Sequence, residues 1–494
     1  MSPDPLALIQ TAYDEIDRWE RSFGEAPTPP ALQVDEDALG EALEEYLGRM
    51  TAPPRGEAPG MYPFGNARYA GQMLKPPHPV ALAAYAAAAR INPNNHALDG
   101  GPPTSAMEKE VVADLARMFG FPSNALGHLT GGGTVANLEA LFVAREETGG
   151  AAVAYSAEAH YTHARMAHVL DVEAVSVAAD DAGRIDLDAL EDTLKRGGVG
   201  TVVLTAATTG LGAVDPIADA IPLCRRYGAR VHVDAAYGGF FRLLAAPPSA
   251  AGRGGAGSGG AEGAGGAALA GFPARHFRAI ADADSVVVDP HKHGLQPYGC
   301  GAVLFRDPSV GRHYRHDSPY TYFTSDALHL GEISLECSRP GAAAGALWLT
   351  LRVLPLEAER GIGPIVAAGL RAARALAGRL DASDTYDLVL APETDIVVYA
   401  PRAASVSETD ARSGAVFEAG MADPDDPLFL SLYRLDADRL AAHLPALARD
   451  PSGTSGQAAD HARVLRSVLM KPEHEAAVGW IADRLEGLAG GVEG

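Results

Sequence analysis

Asp289-Pro290-His291-Lys292-His293-Gly294, preceded without a break by the apolar run Ser285 to Val288, is the stretch that decides how this chain folds. The run is rich in β-branched residues and reads as a buried strand, and the turn follows at once. A lone lysine is usually a solvated surface charge. Placed after a buried strand and before Gly294-Leu295-Gln296-Pro297, Lys292 instead projects its amine into a cleft at the end of a sheet. Partial desolvation there favours the neutral, nucleophilic amine and hence Schiff-base chemistry. Upstream, Arg230 to Val233 form a second apolar strand, which ends in Asp234-Ala235-Ala236-Tyr237-Gly238-Gly239.

A Schiff-base lysine and a carboxylate at two strand ends are what a pyridoxal phosphate site needs, one holding the aldehyde and the other keeping the ring nitrogen protonated. Further blocks run in order from Asn92-Pro93-Asn94-Asn95 to Leu465-Arg466. On these residues the chain resembles the group II pyridoxal-phosphate-dependent amino-acid decarboxylases, and its local similarity is to bacterial and archaeal members described as tyrosine, aspartate or glutamate decarboxylases. The resemblance implies an α/β, fold type I architecture of the aspartate aminotransferase kind. It would comprise a mainly parallel central sheet, an N-terminal helical arm and a small C-terminal α+β domain. The expected boundaries are 1–95 for the arm, 96–350 for the large domain and 351–494 for the small one. The arm wraps a partner subunit in the family, so a homodimer with its active site near the subunit interface is expected.

The resemblance also assigns candidate roles. Thr130-Gly131-Gly132-Gly133-Thr134 precedes a helical pattern with Leu138, Leu141 and Phe142 on one face. Glycines let the backbone approach an anion, and free amides at a helix N-terminus favour phosphate. Alone, such a triplet is most often a plain turn. In family order it becomes the phosphate cup, with Gly132, Gly133 and Thr134 as contacts and Asn137 behind them. His160, after the strand Ala152 to Tyr155, stacks on the pyridine ring by resemblance, while His163 and His168 are read as structural or solvent-facing.

One opposite charge at about 4 Å, at an effective dielectric near 20, is worth roughly 4 kcal/mol or about three pKa units. That is enough for Asp234 to keep a ring nitrogen protonated near neutrality, and the small Ala236 leaves room for a ring. Thr208, in Ala207-Thr208-Thr209-Gly210, and His291 match further cofactor contacts. In Tyr314 to Glu336, Tyr320 or Tyr322 is the candidate loop tyrosine that returns a proton to the substrate, with a core aromatic cluster as the alternative. Arg466, one arginine among apolar neighbours, matches a substrate carboxylate, with a structural ion pair as the alternative. Asn94 is a second substrate-side candidate or a turn residue. The role of Arg339 in Ser338-Arg339-Pro340-Gly341 is open.

Composition narrows the functional classes. A chain of 494 residues with a formal net charge of -23 is too long for one simple core and too acidic for sequence-independent nucleic-acid binding. No uncharged apolar run spans a bilayer, and Met1 to Glu20 lacks a basic n-region, so a cytoplasmic protein without membrane contact is expected. The three cysteines, Cys224, Cys300 and Cys337, have no paired spacing, so neither a disulfide framework nor a metal site is expected. Residues 249–271 are almost entirely Gly, Ala and Ser and read as a flexible surface insertion.

Decarboxylation of an L-amino acid to its amine through a Schiff base at Lys292, with pyridoxal 5'-phosphate as cofactor, is therefore expected. The rivals are another fold type I enzyme, such as an aminotransferase, a carbon–carbon lyase or an aldehyde-forming relative, and a catalytically silent binding or regulatory subunit.

Overall fold

The computed structural model describes residues 4–24, 34–54, 59–245, 270–315, 328–448 and 460–492. In chain order the described elements are α1 (Pro5–Arg21), α2 (Glu36–Thr51), α3 (Pro79–Ile91), α4 (Pro102–Phe119), β1 (Leu126–Thr130), α5 (Gly133–Thr148), β2 (Ala152–Ser156), α6 (Thr162–Val169), β3 (Ala174–Val177), α7 (Leu187–Lys195), β4 (Val199–Thr205), α8 (Ile217–Arg226) and β5 (Arg230–Asp234). They continue with α9 (Ala274–Ala279), β6 (Ser285–Val288), β7 (Gly301–Phe305), α10 (Gly341–Val353), α11 (Ile362–Asp381), β8 (Tyr386–Leu390), β9 (Ile396–Pro401), α12 (Val406–Ala422), β10 (Ser431–Asp436), α13 (Ala437–His443), β11 (His461–Val468) and α14 (Glu473–Val492).

The central sheet has seven strands in the order β1-β7-β6-β5-β4-β2-β3. Pairs β2–β3, β2–β4, β4–β5 and β5–β6 are parallel, while β7 runs antiparallel to both β1 and β6. Strand β7 therefore runs against all the others, and β1, β2, β4, β5 and β6 end at one edge. Both faces of β6 and β7 are buried, which is why Ser-Val-Val-Val and Gly-Ala-Val-Leu-Phe read as continuous apolar runs without alternation.

Strand β5 alternates differently. Val231 and Val233 join the main core on one face, and His232 and Asp234 occupy the other, both buried. Two polar side chains buried at i and i+2 must find partners, and those partners build the site.

A second, antiparallel sheet has the order β10-β11-β9-β8. Leu376 and Leu380 of α11 and Ile481 and Leu485 of α14 pack on it with Tyr399 and Leu465. The main core is continuous with this unit, since Ile396, Val398 and Val464 belong to the same buried cluster as Val231 and Val286. Strand β10 begins three residues later than the apolar run 428–433 suggests. Phe429 bonds instead to the chain at 68–70, donating to Arg68 O at 2.9 Å and accepting from Ala70 N at 2.8 Å.

Helices α1 and α2 bury no residue. Helix α1 is tied to α3 by Arg90, which bonds Glu20 at 2.9 Å, and by Tyr13, whose hydroxyl donates to Ala86 O at 3.4 Å. No helix among the described residues is long and apolar enough to cross a membrane. Most of the 249–271 insertion lies outside the described residues.

Candidate active site

A cleft of about 350 Å³ opens where β1, β2, β4, β5 and β6, five of the six co-directional strands, end. Its lining comes from the turn after β1 (Gly131 to Thr134), the segment after β2 (His160 to Thr162), the end of β4 and its loop (Thr205, Ala207, Thr209), Asp234 with Ala236 and Tyr237 after β5, and Asp289, His291 and Lys292 after β6. Crevices at strand carboxyl ends are the usual ligand sites of open α/β sheets.

The turn between β1 and α5 lines the cleft with backbone and leaves no space for a side chain at Gly133. Gly132 has φ 141°, and a Cβ at Gly133 would lie 2.7 Å from Asp289 Oδ2 and 3.2 Å from Ala236 Cβ. No side chain caps α5, so the amides of its first turn face the cleft without an intrahelical acceptor. Behind the turn, Asn137 Nδ2 donates to Gly133 O at 2.8 Å. Its Oδ1 accepts from His232 Nε2 at 2.9 Å, and His232 Nδ1 meets Ser285 Oγ at 2.8 Å. The polar face of β5 thus braces the turn.

Asp234 lies at the floor of the cleft, 6 % exposed. Its Oδ1 accepts from Ala236 N at 3.0 Å, and its Oδ2 accepts from His163 Nε2 at 2.9 Å. Burial works to raise its pKa, but the hydrogen bonds from His163 and the Ala236 amide outweigh burial and hold it well below the usual carboxylate range. His163 is fully buried on α6, so the part of the expectation that left it facing solvent is corrected. His168, by contrast, stands on the exposed side of α6.

His160 lines the cleft, and its Nδ1 accepts from Thr162 N at 3.2 Å, which leaves the proton on Nε2. Burial first, and Lys292 with it, lowers its pKa against the opposing pull of Asp234, so its ring stays neutral near pH 7. Tyr161, which sequence reasoning passed over, lies against it with ring centroids 4.2 Å apart.

Lys292 Nζ stands 3.0 Å from Asp289 Oδ2. Nearby, His291 Nδ1 donates to Cys300 O at 2.9 Å, and burial lowers the His291 pKa. Asp395, fully buried, lies 3.3 Å from His293 Nε2 and accepts from Tyr237 Oη at 2.6 Å. Burial pushes the Asp395 pKa up to about 6, and it pushes that of Lys75, in electrostatic range of Asp395, down to about 8.

Not every candidate reaches the cleft. Thr208 is fully buried and turned inward, its Oγ1 accepting from Ala213 N at 3.2 Å, while its neighbours Ala207 and Thr209 line the cleft. Asn94 is outside the lining; its Oδ1 accepts from His96 N and Arg339 N, both at 3.0 Å, as a turn residue does. Arg339 is itself buried, bonded to Glu108 Oε1 and Leu129 O, both at 2.8 Å, and so joins the 92–95 turn to β1. Arg466 is 4 % exposed on β11 and outside the cleft lining, in electrostatic range of the lining residue Tyr237. Its Nη1 reaches Ser431 Oγ at 3.2 Å and Gln72 Oε1 at 3.4 Å. Tyr320 and Tyr322 lie outside the described residues.

This arrangement fits pyridoxal phosphate. The side-chain-free turn at an uncapped helix start suits the phosphate, buried Asp234 suits a protonated ring nitrogen, and Lys292 is the one amine among the lining residues.

Comparison with known proteins agrees. The family model described as "Pyridoxal-dependent decarboxylase conserved domain" matches residues 71–247 and 261–401. An L-tyrosine decarboxylase of Enterococcus faecium is 29% identical over 465 residues, covering 74% of this chain and 73% of the relative. An L-2,4-diaminobutyrate decarboxylase of Rhizobium meliloti is 29% identical over 373 residues, covering 70% and 68% respectively. Among solved structures, mouse CSAD in apo form superposes with a TM-score of 0.70 at 21% identity, covering 98% of this chain and 99% of that one. Oryza sativa TDC with PLP and tryptamine gives 0.70 at 17% identity, covering 97% and 96%. These two likenesses show the fold.

Proposed function

The chain belongs to the pyridoxal-dependent decarboxylase family and is a pyridoxal-phosphate-dependent amino-acid decarboxylase; within that family we propose that its substrate carries a second acidic group, recognised by Arg466. One observation carries this reading. The Arg466 guanidinium is buried, and its Nε and Nη2 have no hydrogen-bond partner. No carboxylate among the described residues stands within ion-pair distance of it; its electrostatic neighbours are the phenols of Tyr237, Tyr433 and Tyr69 and, at longer range, the buried carboxylate of Asp395. An unpaired buried charge is costly, and a planar fork of donors matches a carboxylate with two parallel bonds.

In this reading the residues divide the work by atom. The amides of Gly132, Gly133 and Thr134 hold the phosphate. Lys292 Nζ would be the amine that holds the aldehyde of the cofactor, and Asp289 and His291 flank it in the cleft. Asp234 keeps a proton on the ring nitrogen, while His160 and Ala236 bound the space for the ring on its sides. When bound, pyridoxal phosphate supplies the electron sink that makes loss of carbon dioxide feasible. Arg466 would take the distal acidic group of a substrate that extends from the cleft past Tyr237, with Gln72 holding the guanidinium, and fixing that end would set which α-carbon bond breaks. The proton returned to the α-carbon comes from Tyr320 or Tyr322.

We further propose a homodimer in which α1 and α2 lie on a second copy. Leu39, Leu43, Tyr46, Leu47 and Met50 are exposed along one side of α2, at spacings that share a helix face.

The test of the substrate reading is a survey of carbon dioxide release across the amino acids, with Arg466→Met beside the wild type. Acidic amino acids are expected to be turned over, with KM raised about tenfold or more in the variant, as loss of a charge-assisted pair implies. Turnover confined to aromatic or basic amino acids, unchanged by Arg466→Met, would contradict it.

A further inference from the structure

We propose that His163 is a positioning residue for the reaction: by donating its Nε2 proton to Asp234 Oδ2, it fixes that carboxylate toward the ring nitrogen and keeps the proton on the ring. The inference rests on the reading that Asp234 meets that nitrogen.

Three observations support it. The two side chains are 0 % and 7 % exposed and 2.9 Å apart, so the bond is shielded from water. Asp234 Oδ1 is separately held by Ala236 N at 3.0 Å. With one donor on each oxygen the plane of the carboxylate is fixed, and its remaining lone pairs are left for the cleft that it lines.

The second observation concerns the other ring nitrogen. His163 Nδ1 is buried and has no hydrogen-bond partner. A proton there would be an unsatisfied buried donor, so the geometry assigns the neutral Nε2–H tautomer. A neutral donor stabilises the carboxylate without neutralising it, which a lysine or arginine in its place would do. The ring nitrogen is thus left as the cationic partner of Asp234.

Third, burying an imidazole whole is unfavourable unless a bond compensates it, and an apolar side chain would fill the space at less cost. The hydrogen bond to Asp234 is the one that the structure gives the His163 side chain.

Without this donor Asp234 becomes the stronger base, the proton shifts from the ring toward the carboxylate, and the ring withdraws electrons less. The nitrogen joining Lys292 to the cofactor then keeps its own proton to higher pH. The other titratable groups around the pair are His232 on β5, His160 before α6, and Asp289 and Lys292 after β6, and a substitution at His163 leaves all of them in place.

The experiment compares wild type, His163→Phe, His163→Gln and Asp234→Ala as holoenzymes. It follows the pH midpoint of the visible absorbance of bound cofactor together with kcat and KM. For His163→Phe the midpoint is expected to rise by about one pH unit and kcat to fall about tenfold, the effect of losing one hydrogen bond to a charged group, with KM within about twofold. His163→Gln, which keeps an N–H, is expected to stay close to wild type. If the phenylalanine variant does not fold, His163→Met makes the same comparison.

An apolar variant with the wild-type midpoint and kcat overturns the proposal. So does an equal shift in the glutamine and apolar variants, because the loss would then follow the shape of the imidazole and not its proton. If Asp234→Ala moves neither midpoint nor kcat, the reading of Asp234 itself fails. If Asp234→Ala moves both and the apolar variant neither, only the role of His163 fails.

Discussion

Lys292 was legible because everything that singles it out is local: a β-branched run, a proline, a glycine and the amine between them. His163 was not, because its partner is 71 residues away along the chain. Only when β2 and β5 are brought into one sheet does the turn after β2 lie over the end of β5. Thr208 shows the converse limit. Ala207 adopts φ 77°, and the neighbouring threonine turns into the core, which a residue pattern does not reveal. The residue-scale prediction is that borohydride reduction of the holoenzyme fixes one cofactor per chain to the wild type and none to Lys292→Ala, read by mass spectrometry. Labelling of the variant at another lysine would contradict the assignment.

The elements that set up the site were also mostly legible. Strands β2 and β6 appear where continuous apolar runs place them, as buried parallel strands do, and β5 appears where Val231 and Val233 alternate with polar residues. The start of β10 was not, because residues 428–430 are equally apolar but spend their hydrogen bonds on the chain at 68–70. Nor was the reversed direction of β7, which depends on the turn after Lys292.

At the start of α5 the account predicts that Gly133→Val, with no space for a Cβ beside Asp289, weakens cofactor affinity about tenfold or more, from the roughly 1–3 kcal/mol of an overpacked contact. Equilibrium dialysis against pyridoxal phosphate checks it, and unchanged affinity would place the phosphate elsewhere. Between β4 and α8, buried Asp215 accepts from Thr205 N at 2.6 Å and Ile185 N at 2.7 Å, and burial pushes its pKa up to about 7. An unfolded aspartate loses its proton near pH 4, so between about pH 4 and 7 the folded state binds more protons and the contribution of Asp215 to stability falls as pH rises. The wild-type melting temperature is therefore expected to fall more steeply over that range than that of Asp215→Asn. The variant should be less stable throughout, since it loses an acceptor for a buried amide.

At the scale of the whole molecule, the main core of the described residues runs from the central sheet into the antiparallel one, yet α1 and α2 contribute no buried residue to it. Helices with an exposed apolar side are stable only if something covers that side. In sedimentation, the wild type is expected to run as a dimer and Leu43→Glu combined with Leu47→Glu as a monomer; a wild-type monomer would contradict the arm reading.

Decarboxylation of an acidic amino acid in this cleft through Lys292 is checked by measuring carbon dioxide and amine from isotope-labelled amino acids, with pyridoxal phosphate present, for the wild type and Lys292→Ala. Equal amounts of carbon dioxide and amine are expected from an acidic amino acid, and none from the variant. Keto-acid formation without carbon dioxide, or release that survives in Lys292→Ala, would contradict it.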